Sequence, residues 1–283
     1  MFFTPSSFIR PMTTMLVHPA RRGTAAPATT PRLFSGAPAP TAYTTEETLT
    51  WRILFDRQTA LLYRRAPAAF FEGLRALGLS REAPPDLGVL SERLRALTGW
   101  TLVPTRGRVS DEAYLAGLAR RELPVATWLR ARRDTEFLPG PDLFHDVFGH
   151  LPLLAAEPAY ASFLAQAGQL AARQHLLGTR AAPWLTRLLW HTTEFGLLTP
   201  PDGGKPQVVG AALLSSAAEL HRATSAATEG EPPVRRPFRV ADVLATPTAR
   251  GEYQEIYFEA AGWDELLAGL ADVAARLGAP AVA

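Results

Sequence analysis

Beyond Tyr43, apolar residues recur at helical spacing along nearly the whole chain, and short breakers interrupt them repeatedly. Thr44 and Glu47 have capping-box spacing, and Trp51, Leu54, Phe55 and Leu62 then fall on one helical face. A second apolar-periodic segment runs over 68–79. After Pro84-Pro85, Asp86 can cap a helix carrying Leu87, Leu90, Leu94 and Leu97, which Gly99 ends. Ser110, with Asp111 and Glu112 behind it, starts another that contains Tyr114, Leu115 and Leu118. Longer helices are expected at 160–177 and 183–198, the latter with Pro183 in its first turn. Asp202-Gly203-Gly204 marks a turn, 207–211 can pair as a short strand, and 217–227 and 264–277 read as helices. This pattern predicts a mostly α fold with minor β (α+β), a single helical domain over 43–283.

Residues 1–42 do not share it. They are rich in Pro, Ala and Thr and read as a disordered tail or an over-extended start; an acid-free, Arg-bearing leader also suits an organelle transit peptide. The apolar stretch 12–17 is too short for a secretory signal, so a cytoplasmic location is expected. Arg10, Arg21, Arg22 and Arg32 all lie in this tail and supply the excess positive charge behind the pI of 9.2. Without them the chain is acidic on balance, which argues against a nucleic-acid partner. No uncharged apolar run reaches membrane-spanning length. Cysteine is absent, which leaves His and carboxylate as the available metal ligands.

The chemically informative stretch is Asp142-Leu143-Phe144-His145-Asp146-Val147-Phe148-Gly149-His150, behind the breaker Pro139-Gly140-Pro141. Histidines five apart point about 140° from each other on an ideal α-helix. For the two rings to converge the helix must stop between them, and Gly149 with Pro152 is expected to stop it. On spacing alone such a pair is more often structural than ligating, and it is not the zinc-protease pattern. The second stretch is Trp190-His191-Thr192-Thr193-Glu194-Phe195-Gly196. A carboxylate among so many apolar neighbours picks up a proton or finds a cation. Glu194 can pair with an arginine such as Arg187, or complete a two-His, one-carboxylate triad, a set that suits Fe(II) and leaves positions open.

Phe-His-Asp-Val-Phe-Gly-His, then Trp-x-Thr-x-Glu-Phe-Gly-Leu, then Gly-x-x-Leu-Leu-Ser-Ser, together with Thr98-Gly99-Trp100, Gly107, Arg130 and Tyr253-Gln254, resemble the catalytic domain of the pterin-dependent aromatic amino acid hydroxylases. The likeness runs from about Tyr43 to Leu270, in the family's order and spacing. It implies Fe(II) held by His145, His150 and Glu194, with tetrahydropterin as electron donor and O2 and an aromatic amino acid as the other reactants. It implies that Arg130 meets the substrate carboxylate, that Asp142 holds Arg130, and that Trp190 and Phe195 border the substrate ring. By the same likeness Ser215 lies near His145, Glu219 lies near pterin and substrate, and Tyr114 stacks on the pterin with Val109, Leu115 and Asp146 beside it. From the residues alone, Arg130 reads as a surface charge beside Arg132 and Arg133, Glu219 as a solvated helix face, and Trp190, Phe195, Val109 and Leu115 as core.

The bulky Trp190 matches the indole of phenylalanine and tyrosine hydroxylases, where tryptophan hydroxylases carry phenylalanine, so ring hydroxylation of phenylalanine at position 4 is expected. A sibling activity on tryptophan, tyrosine or another ring position of phenylalanine is the alternative, and a catalytically silent helical binding protein a remoter one. Gly140 stands where the family has glutamate, His191 and Thr193 replace aromatic or apolar neighbours of the carboxylate ligand, and Glu259 stands where an apolar pocket residue is expected. With no regulatory domain before it and no tetramerisation helix after it, the chain resembles the short bacterial form, expected as a monomer.

Overall fold

The computed structural model describes residues 42–137, 140–176, 178, 181–200, 203–225 and 233–278. The expected tail, apart from Ala42, lies outside them, as do Asp202 of the predicted turn and the end of the helix predicted to reach 227. Helix α1 (Thr45–Leu62) opens on the predicted capping box: Thr44 Oγ1 accepts from the Glu47 N–H, and the Glu47 carboxylate accepts from the Thr44 N–H. Helices α2 (Ala68–Leu77) and α3 (Leu87–Thr98) follow, the latter capped by Asp86. Strand β1 (Thr101–Thr105), helix α4 (Asp111–Ala119) and strand β2 (Glu122–Ala126) form a βαβ unit in which the two strands pair in parallel.

The middle of the chain departs from expectation twice. Helix does not stop between the histidines. It widens into a π-helical turn over His145–His150 and continues directly as α5 (Leu151–Ala156). Pro152 falls in the first turn of α5, where its missing N–H costs little. Gly149 serves a different purpose from the expected one: a Cβ there would lie 2.7 Å from the carbonyl oxygen of Ala211. Helix α6 (Pro158–Leu176) comes next, then α7 (Ala182–Leu189), which ends nine residues short of the predicted 198. A second π-helical turn, Trp190–Glu194, continues α7. The hydroxyls of Thr192 and Thr193 donate to the carbonyls of Leu188 and Leu189 at 2.6 and 3.0 Å, giving partners to acceptors near the point where the ladder changes register.

Strand β3 (Leu197–Leu198) pairs antiparallel with β4 (Gln207–Val208). Helices α8 (Ala211–Ser215) and α9 (Ala217–Thr224), strand β5 (Val234–Pro237), helix α10 (Val240–Ala245), strand β6 (Ile256–Ala260) and helix α11 (Trp263–Arg276) complete the described chain. The second sheet has the order β4-β3-β6-β5, with both β6 pairings parallel. The outcome is the mostly α, minor β fold that the periodicity predicts.

One apolar core runs through the described residues, and its aromatic part sits behind the first histidine turn. Phe144 stacks on Phe148 at 4.6 Å, Trp51 meets Phe144 edge-on at 5.3 Å, and Phe70 meets Phe148 edge-on at 5.4 Å. Both phenylalanines belong to the histidine-bearing segment and are fully buried, so packing holds that backbone from behind. No helix among the described residues is long and apolar enough to cross a membrane.

Candidate metal centre and its pocket

A π-helical turn closes hydrogen bonds between residues five apart, so positions i and i+5 come round to nearby directions instead of diverging. That is how His145 and His150 converge. Their ring centroids lie 5.3 Å apart at 83°. The second π turn delivers Glu194 to the same point, where its two oxygens lie 3.3 Å from His145 Nε2 and 3.2 Å from His150 Nε2. One ligand atom from each of the three residues falls within 4.8 Å of the others. Ligand atoms about 2.0–2.2 Å from a shared ion at right angles would be about 3 Å apart, so the spacing suits a single first-row metal. Arg187, the other candidate partner for Glu194, donates instead to the carbonyl of Leu244 at 2.6 Å.

The far sides of both rings are engaged. His145 Nδ1 lies 3.1 Å from Ser215 Oγ, and His150 Nδ1 lies 2.7 Å from the Tyr160 hydroxyl. With Nδ1–H donating to those oxygens, each Nε2 is left with its lone pair facing Glu194. When protons take the place of an ion, Glu194 is instead served by the rings in their protonated form: burial alone would push its carboxyl up, but two imidazolium groups donating through Nε2 outweigh it and hold the group well below the usual carboxylate range. Asp146 goes the other way. Burial raises its carboxyl to about 6, against the opposing influence of His145 and of the Ala126 N–H, which donates to Asp146 Oδ2 at 2.7 Å.

A pocket of about 250 Å³ opens over the three ligands. Trp190 and Phe195 line one side, with ring centroids 4.9 Å apart, and Val109, Tyr114 and Asp146 also line it. Five other expected site residues stand off the wall, Ser215 behind His145 among them. Leu115 neighbours Tyr114 in sequence, but the helix turns it about 100° away, and it is buried in the core at 1% exposure. The carboxylate of Glu219 accepts from the Gln254 N–H at 3.2 Å and from the Tyr257 hydroxyl at 2.6 Å; it is buried, not solvated, and burial raises its pKa. Arg130 is no surface charge either. Its Nε and Nη2 grip Asp142 in a two-pronged pair at 2.9 and 2.7 Å, with both side chains almost wholly buried. Asp142 also accepts from the His145 N–H at 2.9 Å, and Arg130 Nη1 reaches within 3.5 Å of the Ser215 carbonyl, so the pair braces the first metal ligand.

Of the four departures from the family's pattern, Gly140 lines the pocket, whereas His191, Thr193 and Glu259 do not. Glu259 accepts from the Thr199 hydroxyl between adjacent strands. His191 is buried edge-on against Phe258, with Nε2 3.3 Å from the Thr246 carbonyl. Sequence reasoning gave no role to Tyr160, which reads as an aromatic on a helical face. It also missed a clasp at the pocket, where Asp111 accepts from both Arg108 (3.0 Å) and Arg250 (2.9 Å), and Arg250 lies 5.7 Å over the Trp190 ring. Burial would raise the Asp111 carboxyl, but the two arginines together hold it below its ordinary value. All three line the pocket, and Arg250 stands 139 positions from Asp111, a separation across which sequence carries no signal for pairing opposite charges.

The fold is mostly helical, and its candidate donor set is of the mononuclear, two-histidine, one-carboxylate type. A family model described as biopterin-dependent aromatic amino acid hydroxylase matches residues 16–281, and the chain belongs to that family. It is 38% identical over 224 residues to a phenylalanine-4-hydroxylase of Ralstonia nicotianae, covering 79% of this chain and 69% of that one. Among solved structures it resembles phenylalanine hydroxylase from Chromobacterium violaceum with bound iron(III) and 7,8-dihydrobiopterin, at a TM-score of 0.77 and 35% identity over 89% of this chain and 90% of that one. The same enzyme with iron and phenylalanine bound gives a TM-score of 0.74 at 35% identity, over 86% and 85% of the two chains.

Proposed function

We propose that the chain is a phenylalanine 4-monooxygenase, which hydroxylates phenylalanine to tyrosine with tetrahydropterin and O2 at an iron centre held by His145, His150 and Glu194. The observation that carries this reading is the convergence of the three ligand atoms at a pocket with an aromatic wall of Trp190 and Phe195. The resemblance to a structure that binds both iron and phenylalanine supports it.

Iron with tetrahydropterin supplies the activation of O2 and the electrons that the reaction needs; the protein supplies position and exclusion of water. Ser215 and Tyr160 fix the two imidazoles in the tautomer that presents Nε2. Trp190 and Phe195 take the substrate ring, and the indole leaves too little depth for a second fused ring. Val109 and Tyr114, which line the same pocket, give the pterin an apolar and aromatic face. Arg130 stands behind the pocket wall, with Nε and Nη2 on Asp142 and Nη1 3.5 Å from the Ser215 carbonyl; in this reading a substrate carboxylate would have to take Nη1 from that carbonyl. A cytoplasmic monomer is the working form in this reading, with residues 1–42 dispensable to it; gel filtration of the whole chain and of one lacking that segment checks both points.

The deciding experiment is anaerobic reconstitution with Fe(II), followed by pterin-dependent product analysis on phenylalanine, tyrosine and tryptophan. Phenylalanine is expected to lead, and Trp190→Phe to gain relative activity on tryptophan by roughly tenfold or more. A wild-type preference for tryptophan would sink the substrate assignment and leave the metal site standing.

A further inference from the structure

Trp190 and Gln254 lie 64 positions apart, and the bond between them fixes the amide in one orientation. An indole N–H can only donate, so Gln254 must present Oε1 to it, at 2.9 Å. The amide nitrogen is then committed to its remaining partner, the Ala249 carbonyl, also at 2.9 Å. The backbone of Gln254 is pinned as well. Its N–H donates to Glu219 Oε1 at 3.2 Å, and its carbonyl accepts from Arg222 Nη2 at 3.2 Å. Glu219 is steadied in turn by the Tyr257 hydroxyl. Gln254 is 2% exposed, so its own end of each bond is shielded from water, where an unmade bond is costly.

This single side chain thus grips two pieces of the pocket wall. One is the Trp190 indole; the other is the stretch Ala249, Arg250, Gly251 and Glu252, all of which line the pocket. Phe195 packs on the indole from one side and the Arg250 guanidinium covers it, but neither contact has the directionality that fixes rotation of the ring about its own bonds. The hydrogen bond has that directionality.

We infer that Gln254 is a specificity-determining positioning residue: it sets how far the Trp190 indole reaches into the pocket and hence the size of ring the pocket accepts. The inference rests on the reading of Trp190 as the pocket wall. Phenylalanine has no N–H, so in a Trp190→Phe background Gln254 has nothing to orient, and a double-mutant cycle isolates the bond.

The experiment uses the full chain loaded with Fe(II) under anaerobic conditions and measures Kd for phenylalanine and tryptophan by calorimetry. The four proteins are wild type, Gln254→Met, Trp190→Phe and the double variant. Gln254→Met is expected to lower the preference for phenylalanine about fivefold in the wild-type background, the scale of one net hydrogen bond. In the Trp190→Phe background it should change the preference by less than about twofold. An equal change in both backgrounds, or none in wild type, would overturn the inference. Thermal midpoints of the same four proteins guard against a purely structural role: coupling in midpoint without coupling in preference would also overturn it. Because binding is read without turnover, absence of phenylalanine hydroxylation with coupling intact would count against the proposed activity and not against Gln254.

Discussion

The Tyr160 hydroxyl lies 2.7 Å from Nδ1 of His150, reaching from the first turn of α6 to the back of a metal-ligand ring that is itself buried. An imidazole whose far nitrogen is so held can present only one nitrogen to an ion, in one plane. Tyr160→Phe keeps the packing against Trp263, 5.5 Å away, and removes only the bond. It is expected to weaken Fe(II) affinity by about tenfold to a hundredfold. Competition against a chelator at fixed pH measures this, and unchanged affinity would show that ring packing alone orients His150.

The pair of Arg130 and Asp142 makes a prediction about stability. Asp142→Asn leaves the Arg130 guanidinium buried without its counter-charge, and breaking a buried pair from one side costs about 3–5 kcal/mol. Urea unfolding of the metal-free chain should show a loss of that size. A loss under about 1 kcal/mol would mean that water reaches the pair. Arg130→Lys, which cannot reproduce the two-pronged grip, should in addition raise KM for the amino acid more than KM for the pterin.

Gly210 is the position at which a single methyl group should reach the metal. A Cβ there would lie 2.2 Å from the backbone oxygen of Glu194, and backbone cannot move aside as a flexible side chain can. Gly210→Ala is therefore expected to displace the turn that carries Glu194 and to lower iron content at least severalfold, with a smaller loss in thermal midpoint. Iron determination on the purified variant, beside a melting curve, tests the pairing of the two effects; full iron loading would refute it.

His191 supplies a pH dependence. Burial, opposed by the Thr246 and Pro247 carbonyls, lowers its pKa from 6.5 to about 4. Below about pH 6.5 the unfolded chain takes up a proton that the folded ring refuses until about pH 4, so this residue removes stability as pH falls through that window. The loss is roughly 2 kcal/mol at pH 5. His191→Phe should flatten that part of the stability profile and lose less stability than wild type between pH 7 and pH 5. Parallel profiles for the two proteins, from urea titrations at each pH, would contradict the assignment.

Much of this was legible because it is local. The caps at Thr44, Asp86 and Ser110 sit three residues from the N–H groups they serve, and the structure makes each bond. The three candidate ligands stood out through residue type and order, and the structure brings their ligand atoms together. Their geometry was not legible: an ideal helix separates His145 from His150, and a π-helical turn leaves no composition signal distinct from an α-helix. Nor was the pairing of β1 with β2, since the match of Thr101–Thr105 to Glu122–Ala126 joins strands separated by a helix and includes prolines in both. Arg130 and Glu219 were misjudged from their neighbours because burial of a charge depends on a partner elsewhere, Asp142 in one case and Tyr257 in the other.

Both ligand-bearing segments are π-helical turns, the first set within otherwise regular helix and the second closing α7. Such a turn amounts to an α-helix that has accommodated one surplus residue. Deleting a residue between His145 and His150 would let the segment relax to ordinary helix, with the histidines at i and i+4, the register that zinc proteases use. Each ring would then meet a different neighbour: the bonds to Ser215 and Tyr160, and the approach of Glu194, are all set for the wider turn. Natural variation in these two segments should accordingly proceed by exchange of residue for residue and almost never by gain or loss of one. Chain length across each turn, more than the identity of the residues between the ligands, is what a lineage must hold constant to keep its metal.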